Sequence, residues 1–120
     1  MTALAKTSDA AVLIKAFNQA CTELDLTQAE AGKVLGFNAS TLSRNAASGF
    51  KPQTKQGELA LHFIRLYRSL FAIAGGDVAF MRHWFNSPNQ ALGASPRQSA
   101  QTVLGLISTN QYLDAMRGKI

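Results

Sequence analysis

Glycines at positions 32 and 36, followed by a leucine at 42, constrain this chain more than any other set of residues. They lie in LTQAEAGKVLGFNASTLSRNAASG, residues 26–49. Thr27 and Glu30 have the spacing of a capping box, in which each side chain satisfies the other's free backbone N–H. A helix is therefore predicted over 28–35. Gly36 follows its last apolar residue and suits a left-handed helix stop. Asn38 is placed to cap a second helix over about 39–47, which Ser48 and Gly49 end. Two such short helices can cross closely only if the first carries a small residue at the crossing. Gly32 supplies it. Leu42 is the inward anchor of the second helix, and Ala31, Val34 and Leu35 add buried surface on the first.

Counted from Gln28, these residues fall four, eight and fourteen positions on, the offsets a helix-turn-helix demands. In that frame Asn38, Ala39, Ser40, Ser43 and Arg44 project away from the core, where base edges would lie. Thr27 and Gln28 sit at a helix N-terminus, whose free N–H groups and dipole favour a phosphate. Arg44 is the best candidate for a guanine, because its fork matches two major-groove acceptors. Lys51 and Lys55 are natural phosphate contacts. The candidate DNA-binding set is thus Thr27, Gln28, Asn38, Ser40, Ser43, Arg44, Lys51 and Lys55. The competing reading is a helical hairpin with a solvated polar face. Asn45 stands where an apolar residue is usual, and the outward face bears one strong cation, so dimerisation would have to raise the affinity.

Beyond this unit the pattern stays helical. Ser8 caps a helix over 9–24, with an apolar stripe of Leu13, Ile14, Phe17, Ala20, Cys21 and Leu24. SGFKPQTKQG, residues 48–57, reads as a linker. A long helix is predicted over 56–74, broken by Gly75 and Gly76, and Asp77 caps another over 78–85. Residues 86–96 read as irregular, ending at Ser95 and Pro96, a cap followed by a first-turn proline. Helices are expected over 98–104 and, capped by Thr109, over 110–117. The expectation is an all-α chain of two units, 1–55 and 56–120.

Several functions are disfavoured. A net charge of +5 suits a phosphate-rich partner without identifying one. The single cysteine, Cys21, permits no internal disulfide and lies in line with core positions. His62 and His83 have no metal-ligand spacing around them, the seven acids form no catalytic pair, and Gly75-Gly76 lacks the residues of a phosphate loop. No enzyme, metal or cofactor is expected. No apolar run approaches a membrane span, and MTALAKTSDA lacks a secretory stretch, so a cytoplasmic location is expected.

From Trp84 the chain carries W-F-x-x-P-N-x-A-L-G-x-x-P, through Trp84, Phe85, Pro88, Asn89, Ala91, Leu92, Gly93 and Pro96. With the helix-turn-helix before it, this resembles the Xre/MbcA/ParS antitoxins over about residues 26–120. Two positions depart from the pattern: Ala94 replaces a common second glycine, and Arg97 to Ala100 is more polar than a leucine-rich helix start. The resemblance implies a toxin–antitoxin pair whose RES-domain toxin consumes NAD. It implies a C-terminal domain that covers the toxin's active-site entrance, and an N-terminal domain that binds operator DNA in a dimeric or larger assembly.

On that basis the candidate toxin-binding set is Trp84, Arg97, Arg117, Gly118, Lys119 and Ile120. Pro88 and Pro96 stiffen the loop, Leu92 can plug the core, and Gly93 can take a positive φ. Trp84 reads as core or interface, and Arg117 or Lys119 as the cation that enters the toxin's cofactor pocket. Phe63, Tyr67, Leu70, Phe71, Phe80 and Trp84 offer more apolar surface than so short a chain readily buries, which predicts a homodimer. The alternative is a stand-alone regulator whose C-terminal half only dimerises.

Overall fold

The computed structural model describes residues 8–45 and 49–118, and among these it contains seven helices and no strand. The all-α expectation holds. Helix α1 (Asp9–Glu23) starts at Ser8, whose hydroxyl accepts from the Ala11 N–H at 3.1 Å. Helix α2 (Gln28–Leu35) opens with the Thr27–Glu30 box complete in both directions, and Gly36 stops it at φ 76°. Helix α3 (Ala39–Asn45) begins where the Asn38 Oδ1 accepts from the Thr41 N–H at 2.8 Å. Its expected last turn, 46–47, lies outside the described residues.

Helix α4 (Lys55–Ala74) begins within the expected linker, so Lys55 is its first residue. Thr54 caps it, accepting from the Gly57 N–H and donating to the Lys51 carbonyl. Gly57 is obligatory there, since a Cβ would lie 2.2 Å from the Lys51 oxygen. Gly75 ends α4 at φ 62°. Helix α5 (Val78–Asn86) follows from the Asp77 cap, then a loop with one isolated bridge, Asn89 to Ala94.

The C-terminus departs from expectation. Helix α6 (Pro96–Ser99) is a single turn, and helix α7 (Val103–Gly118) runs unbroken through position 109. Thr109 is not a cap: fully buried, its hydroxyl donates back to the Gly105 carbonyl at 2.8 Å. The cap is Thr102, whose hydroxyl accepts from the Gly105 N–H at 3.0 Å. Gly105 lets α7 pass α6, for a Cβ would sit 2.1 Å from the Ser99 carbonyl oxygen.

One core runs through both expected units. Phe17 of α1, Phe63 of α4 and Phe85 of α5 are fully buried and meet edge to face, at 5.6 and 6.3 Å between centroids. Leu35 and Leu42 extend this core beneath α2 and α3, and Leu106 and Leu113 extend it beneath α7. Helix α4 is the shared axis, packing on α1, α2, α5 and α7. Much of its wide apolar face is consumed internally, since Phe63 and Leu70 are buried, whereas Phe71 and, on α5, Phe80 remain exposed. Cys21 is buried as expected, and burial pushes its thiol up to about 12, far from reactive.

Candidate functional site

The first surface is built on α2 and α3. Gly32 abuts the turn: a Cβ there would lie 2.7 Å from the Phe37 carbonyl oxygen, and the Phe37 N–H donates to the Gly32 carbonyl at 2.7 Å. Leu42 is buried and pins α3 inward. With Gly36 in the left-handed region, all three steric demands of a helix-turn-helix are met. Turned outward are Thr27, Gln28, Asn38, Ser40 and Arg44, all exposed. An Nη of Arg44 donates to the Thr41 hydroxyl at 3.1 Å, which orients the fork along the outer edge of α3. The side chain of Ser43 lies outside the described residues. Lys51 and Lys55 are exposed at the approach to α4. Thr27 and Asn38 are both held in part as helix caps.

Beside this surface, at the start of α2, lies a cluster that sequence reading did not assemble. Arg97 of α6 reaches across to α1 and α2. Its Nη1 donates to the Glu30 carboxylate, its Nε to the Asn86 Oδ1 at 2.6 Å, and its Nη2 to the Asp25 and Leu24 carbonyls. The guanidinium also lies over the Phe85 ring, 5.8 Å from its centroid. Arg82 of α5 donates to the Glu23 and Thr22 carbonyls. Two cations thus close the C-terminal end of α1, where the helix leaves carbonyls unpaired and its dipole is negative. Burial draws the Glu30 carboxyl upward, but the Thr27 N–H and the Arg97 charge outweigh it and hold it below the usual range. Arg97 was expected at a toxin contact; here each of its nitrogens is employed within the chain.

The second surface is built on the loop between α5 and α6 and on α7. Asn89 organises the Pro-Asn-x-Ala-Leu-Gly loop: its Oδ1 accepts from the Ala91 and Leu92 N–H groups, and its carbonyl accepts from Gly93 at φ 75°. Leu92 is half-buried, a partial plug. Trp84 stacks on Tyr112 of α7, centroids 6.2 Å apart, so it is a half-buried packing residue. Arg117 is largely exposed but donates to the buried Ser69 hydroxyl at 3.2 Å, and Gly118 closes α7 beside it. Lys119 and Ile120 lie outside the described residues. Asn110, buried in α7, ties it to α4 through the His62 carbonyl at 3.0 Å. At the start of α7, Leu104 is 79% exposed next to Val103. With Ile107 and Leu59, Val103 lines a groove of about 340 Å³ between α4 and α7.

Comparison with protein families gives two matches. The antitoxin Xre-like helix-turn-helix domain matches residues 3–65, over half the chain. The antitoxin Xre/MbcA/ParS C-terminal toxin-binding domain matches residues 69–119.

The chain belongs to the Xre-type antitoxins.

A comparison with curated proteins returned no match. The helix-turn-helix and the toxin-binding domain of the antitoxin meet within α4, and Arg82, Arg97 and Asn110 are among the ties between them. Neither domain is of an enzyme family. Among the described residues of the antitoxin, no group of His, Cys, Asp or Glu could hold a metal, and no helix is long and apolar enough to cross a membrane.

Proposed function

We propose that this antitoxin, acting in the cytoplasm, seals the active-site entrance of a RES-domain toxin that consumes NAD, and represses its own operon as a homodimer or larger assembly. The mechanism is steric, with no bond made or broken by the antitoxin. The observation that carries the reading is the joining of an intact helix-turn-helix to a toxin-binding domain in one continuous core. The resemblance to the RES-associated antitoxins supplies the toxin class. Exposed Phe71 and Phe80 support self-association. Two reading heads on one duplex would engage half-sites about 34–36 Å apart, or multiples of that.

Co-expression with the neighbouring open reading frame tests the pairing. A toxic neighbour rescued by this chain supports it, and a harmless neighbour supports the stand-alone regulator instead. Deleting residues 117–120 is expected to abolish rescue while leaving DNA retention intact, because Arg117 stands on α7, which packs on α4 and α6. Full rescue by the truncated chain would remove the proposed role of Arg117 and Lys119 in the toxin's cofactor pocket.

Arg44→Ala is expected to weaken retention of the upstream DNA about 10- to 100-fold, the size of a lost guanine fork at about 1–3 kcal/mol. Lys51→Ala should instead weaken binding to all sequences alike and lower the salt slope by about one. Gel retardation across a salt series separates the two. Equal retention by Arg44→Ala and the unaltered protein would leave α3 without a reading role.

A further inference from the structure

We propose that Arg97 is a positioning residue for operator binding, one that masks the Glu30 carboxylate so that the start of α2 can receive a DNA phosphate. The inference rests on the operator reading above and deepens it.

Glu30 occupies the first turn of α2, on the same helix end as the exposed Thr27 and Gln28. Its carboxylate satisfies the Thr27 N–H at 3.0 Å and stabilises the helix start. A carboxylate in that place also uses the helix dipole that a phosphate would use, and repels the phosphate directly. The antitoxin resolves this conflict from another domain. Arg97 comes from α6, 67 positions further along the chain, and donates to the same Glu30 Oε1 that caps Thr27. Both side chains are mostly enclosed, 18% and 24% exposed, so solvent screens the pair less than it would a surface ion pair. The Asn86 amide oxygen, the Leu24 and Asp25 carbonyls and the Phe85 ring hold the guanidinium in one orientation. Without Arg97 the first turn of α2 would present an unopposed negative charge to the duplex.

Arg82 serves as an internal control. It caps the same end of α1 through Glu23 and Thr22 but is not bonded to Glu30. A loss of α1 capping and a loss of Glu30 masking are therefore separable.

The experiment measures affinity for the upstream DNA and thermal unfolding of the full chain for five proteins: unaltered, Arg97→Ala, Arg97→Lys, Arg82→Ala and the double variant Arg97→Ala with Glu30→Gln. Arg97→Ala is expected to bind about tenfold more weakly. Glu30→Gln keeps a capping amide but removes the charge, so the double variant should recover most of the affinity without recovering the lost capping of α1. Arg97→Lys, which keeps a cation beside Glu30 and loses the fork, should bind within about threefold of the unaltered protein while melting lower. Arg82→Ala should lower the melting temperature with little change in affinity.

Three results overturn the proposal. Arg97→Ala could bind as the unaltered protein does. Affinity could follow melting temperature across all five, with no recovery in the double variant, which reduces Arg97 to a fold residue. Finally, the unaltered antitoxin could fail to retain the DNA at all, which sinks the operator reading together with this one.

Discussion

Phe63→Ala lowers the stability of the antitoxin by about 3–5 kcal/mol, the cost of deleting a fully buried phenylalanine and leaving its cavity. Phe63 has no exposure, and its ring is shared between Phe17 of α1 and Phe85 of α5. Truncation removes two edge-to-face contacts as well as the transfer term. Domains of this size are stable by about 5–15 kcal/mol, so the loss consumes roughly a fifth or more of the total, or about 10 °C or more in melting temperature. Because α4 lies in both domains, the loss should be felt by both at once. Urea unfolding followed by Trp84 fluorescence and by helical circular dichroism should give one coincident transition, moved to lower denaturant. Phe71→Ala on the same helix is the comparison. Phe71 is 46% exposed, and its truncation should cost about 1 kcal/mol or less. Two separated transitions in Phe63→Ala would show that the domains are held by independent cores.

What the sequence reveals of this fold is what is decided within about four residues. The Thr27–Glu30 box, the Gly36 stop, the Asp77 cap and the Ser95-Pro96 start all depend on such short spans, and each stands where its residues predict. Thr109 shows the limit. A threonine hydroxyl can accept from an N–H ahead of it or donate to a carbonyl behind it, and nothing in the neighbouring residues chooses. Burial chooses: Thr109 sits fully enclosed between Leu106 and Leu113, and Gly105 packs on Ser99, so α7 continues through it. Thr102, which the sequence reading did not nominate, takes the capping role.

The candidate site divides in the same way. The outward placement of Asn38, Ser40 and Arg44 follows from Leu42 pointing in, and so was legible. Arg97 was not. In the sequence its surroundings register only as a polar departure from a leucine-rich helix start. In the fold the polarity is explained, since its partners Leu24, Asp25 and Glu30 lie 73, 72 and 67 positions away. Arg82 was equally hidden, its two acceptors being backbone carbonyls, which carry no residue signature. Asn89 was visible as a motif letter, but its work of accepting two N–H groups required the loop itself.

Gly32→Val is expected to cut operator affinity more than tenfold, whereas Gly36→Ala, at the turn itself, only weakens the fold. The two glycines are needed for different reasons. At Gly36 the backbone is at φ 76° and open space surrounds the position, so a Cβ meets nothing and the cost is conformational, about 1–2 kcal/mol. The turn survives in the molecules that remain folded, and the reading head keeps its shape. At Gly32 the backbone is helical and the obstacle is another stretch of backbone. A Cβ would lie 2.7 Å from the Phe37 oxygen and 3.3 Å from the Asn38 carbonyl carbon, neither of which can rotate aside. Valine adds two methyl groups to that contact, for an overpacking cost of about 1–3 kcal/mol. Relief requires the 37–38 turn to move outward and carry α3 with it. Leu42 would then be drawn from its pocket and Arg44 displaced from the outer edge of α3, where the proposed DNA contact lies. Stability losses of the two variants should therefore be similar, while DNA affinity falls more than tenfold in Gly32→Val and less than about threefold in Gly36→Ala at equal folded concentration. Equal affinities for the two would mean that α3 does not depend on the crossing at Gly32 for its place on DNA.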